Sequence, residues 1–243
     1  MKALATLFVI GMCAISPALA QSNQYLNLVV VRVKADMIGD FERIQKEYVD
    51  ALKKVGGPRR TIWQVVAGNT NEYHILSPLQ SFGDLDRSTN PMNEGDWARW
   101  LARVRDCVDS RERMILRFHS DLSIPAKTGR IPKMAEVTIH EVSPEQSAEF
   151  QRIRREELLP AYRKGGVDGL FVYSSEHGTH RGRWFIARYI DSWSDLDSSP
   201  TPLQSGFGPE GYQAFVEKFN SARVRSEWLV VRHRPELSYN PEQ

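Results

Sequence analysis

Ser81-Phe82-Gly83-Asp84-Leu85-Asp86 returns in the second half of the chain as Ser192-Trp193-Ser194-Asp195-Leu196-Asp197. Each copy follows an apolar, strand-like run and precedes a loop and a helical pattern. A serine at a helix start accepts hydrogen bonds from orphan backbone N–H groups, and an acid three residues later answers it and faces the positive end of the helix dipole. The hexapeptide is therefore a cap. Its recurrence is a register mark, and the chain reads as one unit written twice.

Outward from the first mark, Leu28 to Lys34 alternates as a strand with Val29, Val31 and Val33 on one face. Met37 to Val55 carries Phe41, Ile44, Tyr48 and Leu52 at helical spacing, and Gly56-Gly57-Pro58 ends it. Thr61–Ala67 and Glu72–Leu79 form a hairpin around Gly68-Asn69-Thr70-Asn71. A helix over Glu94–Cys107 and a strand over Arg111–His119 complete the copy. Around the second mark the order repeats. Strand Met134–Val142 leads to a helix carrying Phe150, Ile153, Leu158, Ala161 and Tyr162, which Pro160 should kink. Strands Gly169–Ser175 and Arg183–Asp191, helix Pro209–Asn220 and strand Glu227–Arg234 follow. Phe41-Glu42-Arg43-Ile44 pairs with Phe150-Gln151-Arg152-Ile153, and Asp121-Leu122-Ser123 pairs with Glu236-Leu237-Ser238. The expected division is a first repeat over 21–123, a linker over 124–133, a second repeat over 134–238 and a loose tail over 239–243.

Residues 1–20 read as a secretory signal peptide: Lys2, an apolar run from Ala3 to Ile15, then Ala18-Leu19-Ala20 before Gln21. The run is too short to span a bilayer. Cys13 raises the alternative of lipidation, against which stands the bulk of Met12. The expectation is a periplasmic or secreted protein with no membrane insertion after cleavage. Cys107 is then the lone cysteine and falls on an apolar helix face, as a buried structural thiol would. A formal net charge of +2 leaves no electrostatic footprint for nucleic acid.

Each copy has the order β-α-β-β-α-β. Its four-stranded sheet is covered by helices on one face and needs a partner for the other. Lys164-Gly165-Gly166 before Gly169-Leu170-Phe171-Val172-Tyr173, together with the Ser-aromatic-x-Asp-Leu-Asp hexapeptide after the third strand, resembles the dimeric α/β-barrel superfamily. That superfamily includes the antibiotic-biosynthesis monooxygenase, stress-responsive barrel and NIPSNAP-like families. The resemblance covers both copies. It implies an α+β fold in which two tandem ferredoxin-like repeats close a barrel within one chain, as a pseudo-dimer. Members of the superfamily range from cofactor-free oxygenases and isomerases to haem binders, with sites between sheet and helices or near the barrel.

Strand alternation selects candidate residues. If Val29, Val31 and Val33 lie under the helices, Arg32 points into the barrel; the same reasoning with Ala135, Val137 and Ile139 sends Glu136 and His140 inward. Arg117 and Arg232 join them from the last strand of each copy. Such a set suits an anionic or carbonyl-bearing small molecule, with arginine forks as donors and His140 moving a proton. The structural alternative is that these charges pair across the two halves. His74, beside Tyr73, offers a second proton-transfer group or a half-buried structural histidine. Glu176-His177-Gly178-Thr179-His180 holds two imidazoles without an obvious third ligand and reads as a turn, so no metal is expected. No phosphate-binding glycine loop or nucleophile elbow is present, and no cofactor is called for. The expected role is an exported small-molecule binder or cofactor-independent enzyme. The alternatives are a non-catalytic cell-envelope interaction module and a haem protein using His74 or His140.

Overall fold

A computed structural model describes residues 24–87, 90–127, 131–178, 181–221 and 225–241. The leader read over 1–20 and His180 of the two-imidazole turn lie outside these residues. The elements are β1 (Tyr25–Val33), α1 (Ile38–Val55), β2 (Thr61–Ala67), β3 (Glu72–Leu79), α2 (Glu94–Cys107) and β4 (Val108–Phe118). They recur as β5 (Met134–Glu141), α3 (Ser147–Ile153), α4 (Leu159–Lys164), β6 (Leu170–His177), β7 (Arg183–Ile190), α5 (Pro202–Phe207), α6 (Pro209–Ser221) and β8 (Arg225–His233). The eight strands close into one barrel in the order β1-β3-β2-β8-β5-β7-β6-β4, with antiparallel neighbours throughout. Each repeat supplies one four-stranded half, and the seams are β2–β8 and β4–β6. The chain is thus α+β, with two tandem ferredoxin-like repeats closing an intramolecular barrel.

Local chemistry sets the element ends. Gly56 closes α1 in the left-handed region at φ 60° and ψ 44°. In both hexapeptides one carboxylate oxygen holds two backbone N–H groups: Asp84 takes those of Gln80 and Ser81 at 2.7 and 3.1 Å, and Asp195 those of Asp191 and Ser192 at the same distances. These backbone bonds hold both carboxyls below their usual range. The expected kink in the second long helix takes the form of a π-helical turn over Arg154–Leu158, just before Pro160. Proline has no N–H to give that turn. No described helix is long and apolar enough to cross a membrane.

The repeats exchange their ends. Leu122, which closes the first repeat, is 1% exposed and packs among Phe150, Ile153, Leu170 and Val172 of the second. Leu237, which closes the second, is 0% exposed and packs among Phe41, Ile44, Ile62 and Tyr73 of the first. The serine after each leucine fixes the crossing. Ser123 Oγ accepts from Val172 N at 3.0 Å, and Ser238 Oγ accepts from Ile62 N at 2.8 Å. Tyr239, expected to begin a loose tail, is instead held to Arg60 by two backbone hydrogen bonds of 2.8 and 2.7 Å.

Glu42 ties the same exchange electrostatically. Its carboxylate takes Arg234 Nη1 and Nη2 at 2.6 and 2.8 Å and the Tyr73 hydroxyl at 2.7 Å. Burial alone would raise its pKa, but the bonds from Arg234 and Tyr73 outweigh it and hold the carboxyl low. A folded pKa below the unfolded one means this stabilisation is complete above the unfolded value and is lost as pH falls through the folded one. The melting temperature should therefore drop as pH falls below about 4.3, and Glu42→Gln should flatten that limb. Parallel melting-temperature curves for the two proteins would refute this.

Candidate functional site

Alternation along the eight strands sends one set of side chains into the barrel and the other beneath the helices. The inward set is mainly apolar: Leu28, Trp63, Val65, Met114, Leu116, Ala135, Val137, Ile139, Phe185 and Val231 form one cluster. This corrects the expected polar interior at four positions. Glu136 faces outward and pairs with Arg188 at 2.8 Å. His140 lies beneath the helices, with Nδ1 2.7 Å from Ser226 Oγ and its ring edge-on to Phe150 and Phe219. Arg117 is on the outer face, paired with Glu176 at 2.6 Å and lying over the Tyr25 ring. Arg232 is exposed on the outside of β8, opposite Met134 and Gln64. The physical reason is that barrel closure buries both faces of every strand. In β5 the more apolar alternate lines the barrel, and the set containing His140 meets the helices.

Arg32 and His74 do lie on the barrel side, at one rim. Glu72 joins them, 3.0 Å from Arg32 Nε and 2.8 Å from His74 Nε2. Arg183–Glu141 and Arg225–Glu227 pairs lie on neighbouring strands of the same rim. These charges satisfy one another within each repeat, not across the two halves as the structural alternative had it.

The better candidate lies between sheet and helices in the second repeat. β5 places His140 there, β7 places Trp184, and the exchanged end of β4 brings in His119. From the helices come Phe150, Phe215 and Phe219. The rings are contiguous: His119 to Trp184 is 4.8 Å, Trp184 to Phe150 is 5.3 Å, and Phe150 to His140 is 5.5 Å between centroids. Above Phe150, at 5.7 Å, sits the guanidinium of Arg154.

Arg154 is the unusual group. It is 3% exposed, and its Nε has no hydrogen-bond partner. No carboxylate acts on it: burial lowers its pKa to about 10, and only Tyr162 works in the other direction. An uncompensated buried charge is costly. Burial also lowers the pKa of His119, which shares the field of Arg154 and keeps Nε2 2.8 Å from Ser174 Oγ. The layer thus offers a cation with an unpaired Nε–H, a neutral imidazole and flat aromatic walls. Such a set can hold an oxyanion on an aromatic ring and accept a proton beside it.

The first repeat shows the contrast. By the Phe41/Phe150 correspondence, Gln45 stands where Arg154 does. Its amide oxygen accepts from Arg60 Nη2 at 2.6 Å, and Arg60 lies over the Tyr48 ring at 4.9 Å. The guanidinium buried there has an acceptor, although its Nη1 is unpaired. Sequence reading passed over Arg154 because a charge on an amphipathic helix looks like a solvated one. The available signal was its spacing: four residues beyond Phe150, it belongs to the buried face.

The sequence matches no protein-family model and no curated protein. Solved structures share the architecture. An anthrone oxidase-like protein superposes with a TM-score of 0.60 at 14% identity, over 88% of this chain and 93% of its own. The fold is that of the dimeric α/β barrels. A candidate monooxygenase from Lactobacillus acidophilus NCFM matches at 0.56 and 8% identity, over 86% and 93% of the two chains. A mutant chlorite dismutase from Candidatus Nitrospira defluvii matches at 0.51 and 8%, over 89% and 93%.

Proposed function

We propose that the sheet–helix layer of the second repeat binds a planar, oxygenated aromatic small molecule, with Arg154 on its oxygen and Trp184 and Phe150 against its rings. Arg154 carries this reading: a guanidinium buried without a carboxylate, in a π-helical turn, against aromatic rings. Such turns are frequent at functional sites. The likeness to an anthrone oxidase-like protein supports the choice of ligand class. In an enzymatic version His119 accepts a proton from the substrate and Arg154 stabilises the resulting enolate or phenolate, with no cofactor. The leader read over residues 1–20 is the ground for placing this action after export, in the periplasm or outside the cell.

Haem does not fit the two histidines offered for it. His74 Nε2 is engaged by Glu72 at the barrel rim, and His140 Nδ1 by Ser226 Oγ beneath the helices.

The test is titration of the mature protein with 1,8-dihydroxyanthrone, followed by tryptophan fluorescence and by absorbance of the probe. Saturable quenching is expected, with affinity weakened at least about tenfold in Arg154→Gln. Spectral conversion of the probe that stops in His119→Asn would identify an enzyme. Binding without conversion would identify a binder. No saturable binding, or equal binding by Arg154→Gln, would overturn the reading.

A further inference from the structure

We propose a second ligand site at the other rim of the barrel, on the interior face rather than in the helix-covered layer of Arg154, which takes a planar aromatic anion. The two rims differ in chemistry. One is occupied by the pairs of Arg32, Glu72, Glu141 and Arg183 with their partners. At the opposite rim alternation turns Trp63, Tyr173, Tyr189 and His233 inward together, Arg59 stands just ahead of β2, and none of them has an acidic partner within ion-pair or hydrogen-bond distance among the described residues.

The polar atoms there are unusual. Trp63 is 7% exposed, and its Nε1 is buried with no hydrogen-bond partner. His233 Nε2 is likewise buried and unpartnered, in a ring 5.0 Å from that of Trp63. Buried polar groups are nearly always paired, so two adjacent exceptions call for a partner that enters from outside. An indole N–H can only donate, so that partner must be an acceptor. Arg59 supplies the positive charge. Its field reaches Tyr173, Tyr189 and His233; at His233 the Glu236 carboxylate, itself paired with Arg234, acts in the opposite sense. Arg59 makes no ion pair among the described residues. The walls fix the shape: Phe171 packs on Tyr189 with centroids 4.6 Å apart, and both tyrosines pack against the apolar barrel core. Tyr173 and Tyr189 remain partly exposed, so the mouth is open to solvent. A cation, an obligate N–H donor and flat walls together select an aryl carboxylate or a phenolate. A neutral ring or an aliphatic acid meets only part of this set.

The probe is 1-hydroxy-2-naphthoate, followed by its own fluorescence with the full mature chain. Saturable binding is expected, weakened about tenfold or more by Arg59→Gln and by Trp63→Phe, which removes the N–H and keeps an aromatic ring. Tyr189→Leu, which removes a flat wall, serves if Trp63→Phe loses native circular dichroism. Neutral 1-naphthol should bind at least about tenfold more weakly. The titrations are made in the Arg154→Gln background, where the sheet–helix layer no longer holds an oxyanion; loss of all saturable binding there would assign the probe to that layer and overturn this site. Absence of saturation up to about 1 mM, or affinities unaffected by Arg59→Gln and by the ring variant, would mean that water serves Trp63 and His233, and would overturn it too.

Discussion

Leu237→Ala is expected to lower the unfolding free energy by about 3–5 kcal/mol, among the largest effects of any single truncation in the chain. Six residues follow it in the sequence, where loose structure is the usual expectation. Its side chain is nevertheless 0% exposed and lies in the core of the other repeat, against Phe41, Ile44, Ile62 and Tyr73. These side chains are held by elements far away in sequence, so the site cannot collapse onto the smaller side chain. The cost should fall at the upper end of the leucine-to-alanine range for that reason. Leu122→Ala should cost a similar amount through the core of the second repeat, because Ser123 and Ser238 lock the two crossings alike. Urea unfolding measures both. A loss below about 1 kcal/mol for Leu237→Ala would show that the exchanged end is dispensable. The same exchange predicts that a chain ending after residue 133 does not fold: it lacks Leu237 and leaves two barrel seams open.

How far the sequence could be read follows from the same geometry. Local features were legible. Gly56 caps α1, the hexapeptides cap their turns, and Val29, Val31 and Val33 lie beneath α1 and α2 as their alternation implied. β5 was read with its faces inverted. Ala135, Val137 and Ile139 are the apolar set, and on a half-exposed sheet they would mark the helix-covered face. In a barrel closed by its own duplicate both faces are buried, so alternation still identifies two sets but no longer says which is inside. His119 was hidden for a different reason. It enters the second repeat's layer only because β4 pairs with β6 across a seam, a contact with no local signature. Arg154 was hidden by its charge.

Arg154→Met is expected to stabilise the protein while abolishing its capacity for the dihydroxyanthrone probe. A guanidinium held 3% exposed without a carboxylate costs free energy that an apolar side chain of similar length avoids. Methionine keeps the packing on Phe150 and relieves the unpaired Nε, so a gain of about 1–3 kcal/mol is expected. The equivalent exchange in the first repeat should have the opposite sign. Gln45→Met removes the acceptor of Arg60 Nη2 and leaves a second buried guanidinium without one, at a loss of about 1–3 kcal/mol. The pair of variants separates the two roles a buried arginine can have. A residue retained for packing costs stability when it is replaced, whereas one retained for a ligand releases stability and loses binding, the usual relation between stability and function at a site. Thermal and urea unfolding of both variants, beside the probe titration, decide between them. If Arg154→Met is destabilised by more than about 1 kcal/mol, the guanidinium is structural and the second layer is a core like the first. If it is stabilised and still binds the probe, the oxygen of the ligand is held elsewhere. Only stabilisation together with lost binding agrees with a cation kept unpaired in an aromatic layer to receive an anionic oxygen.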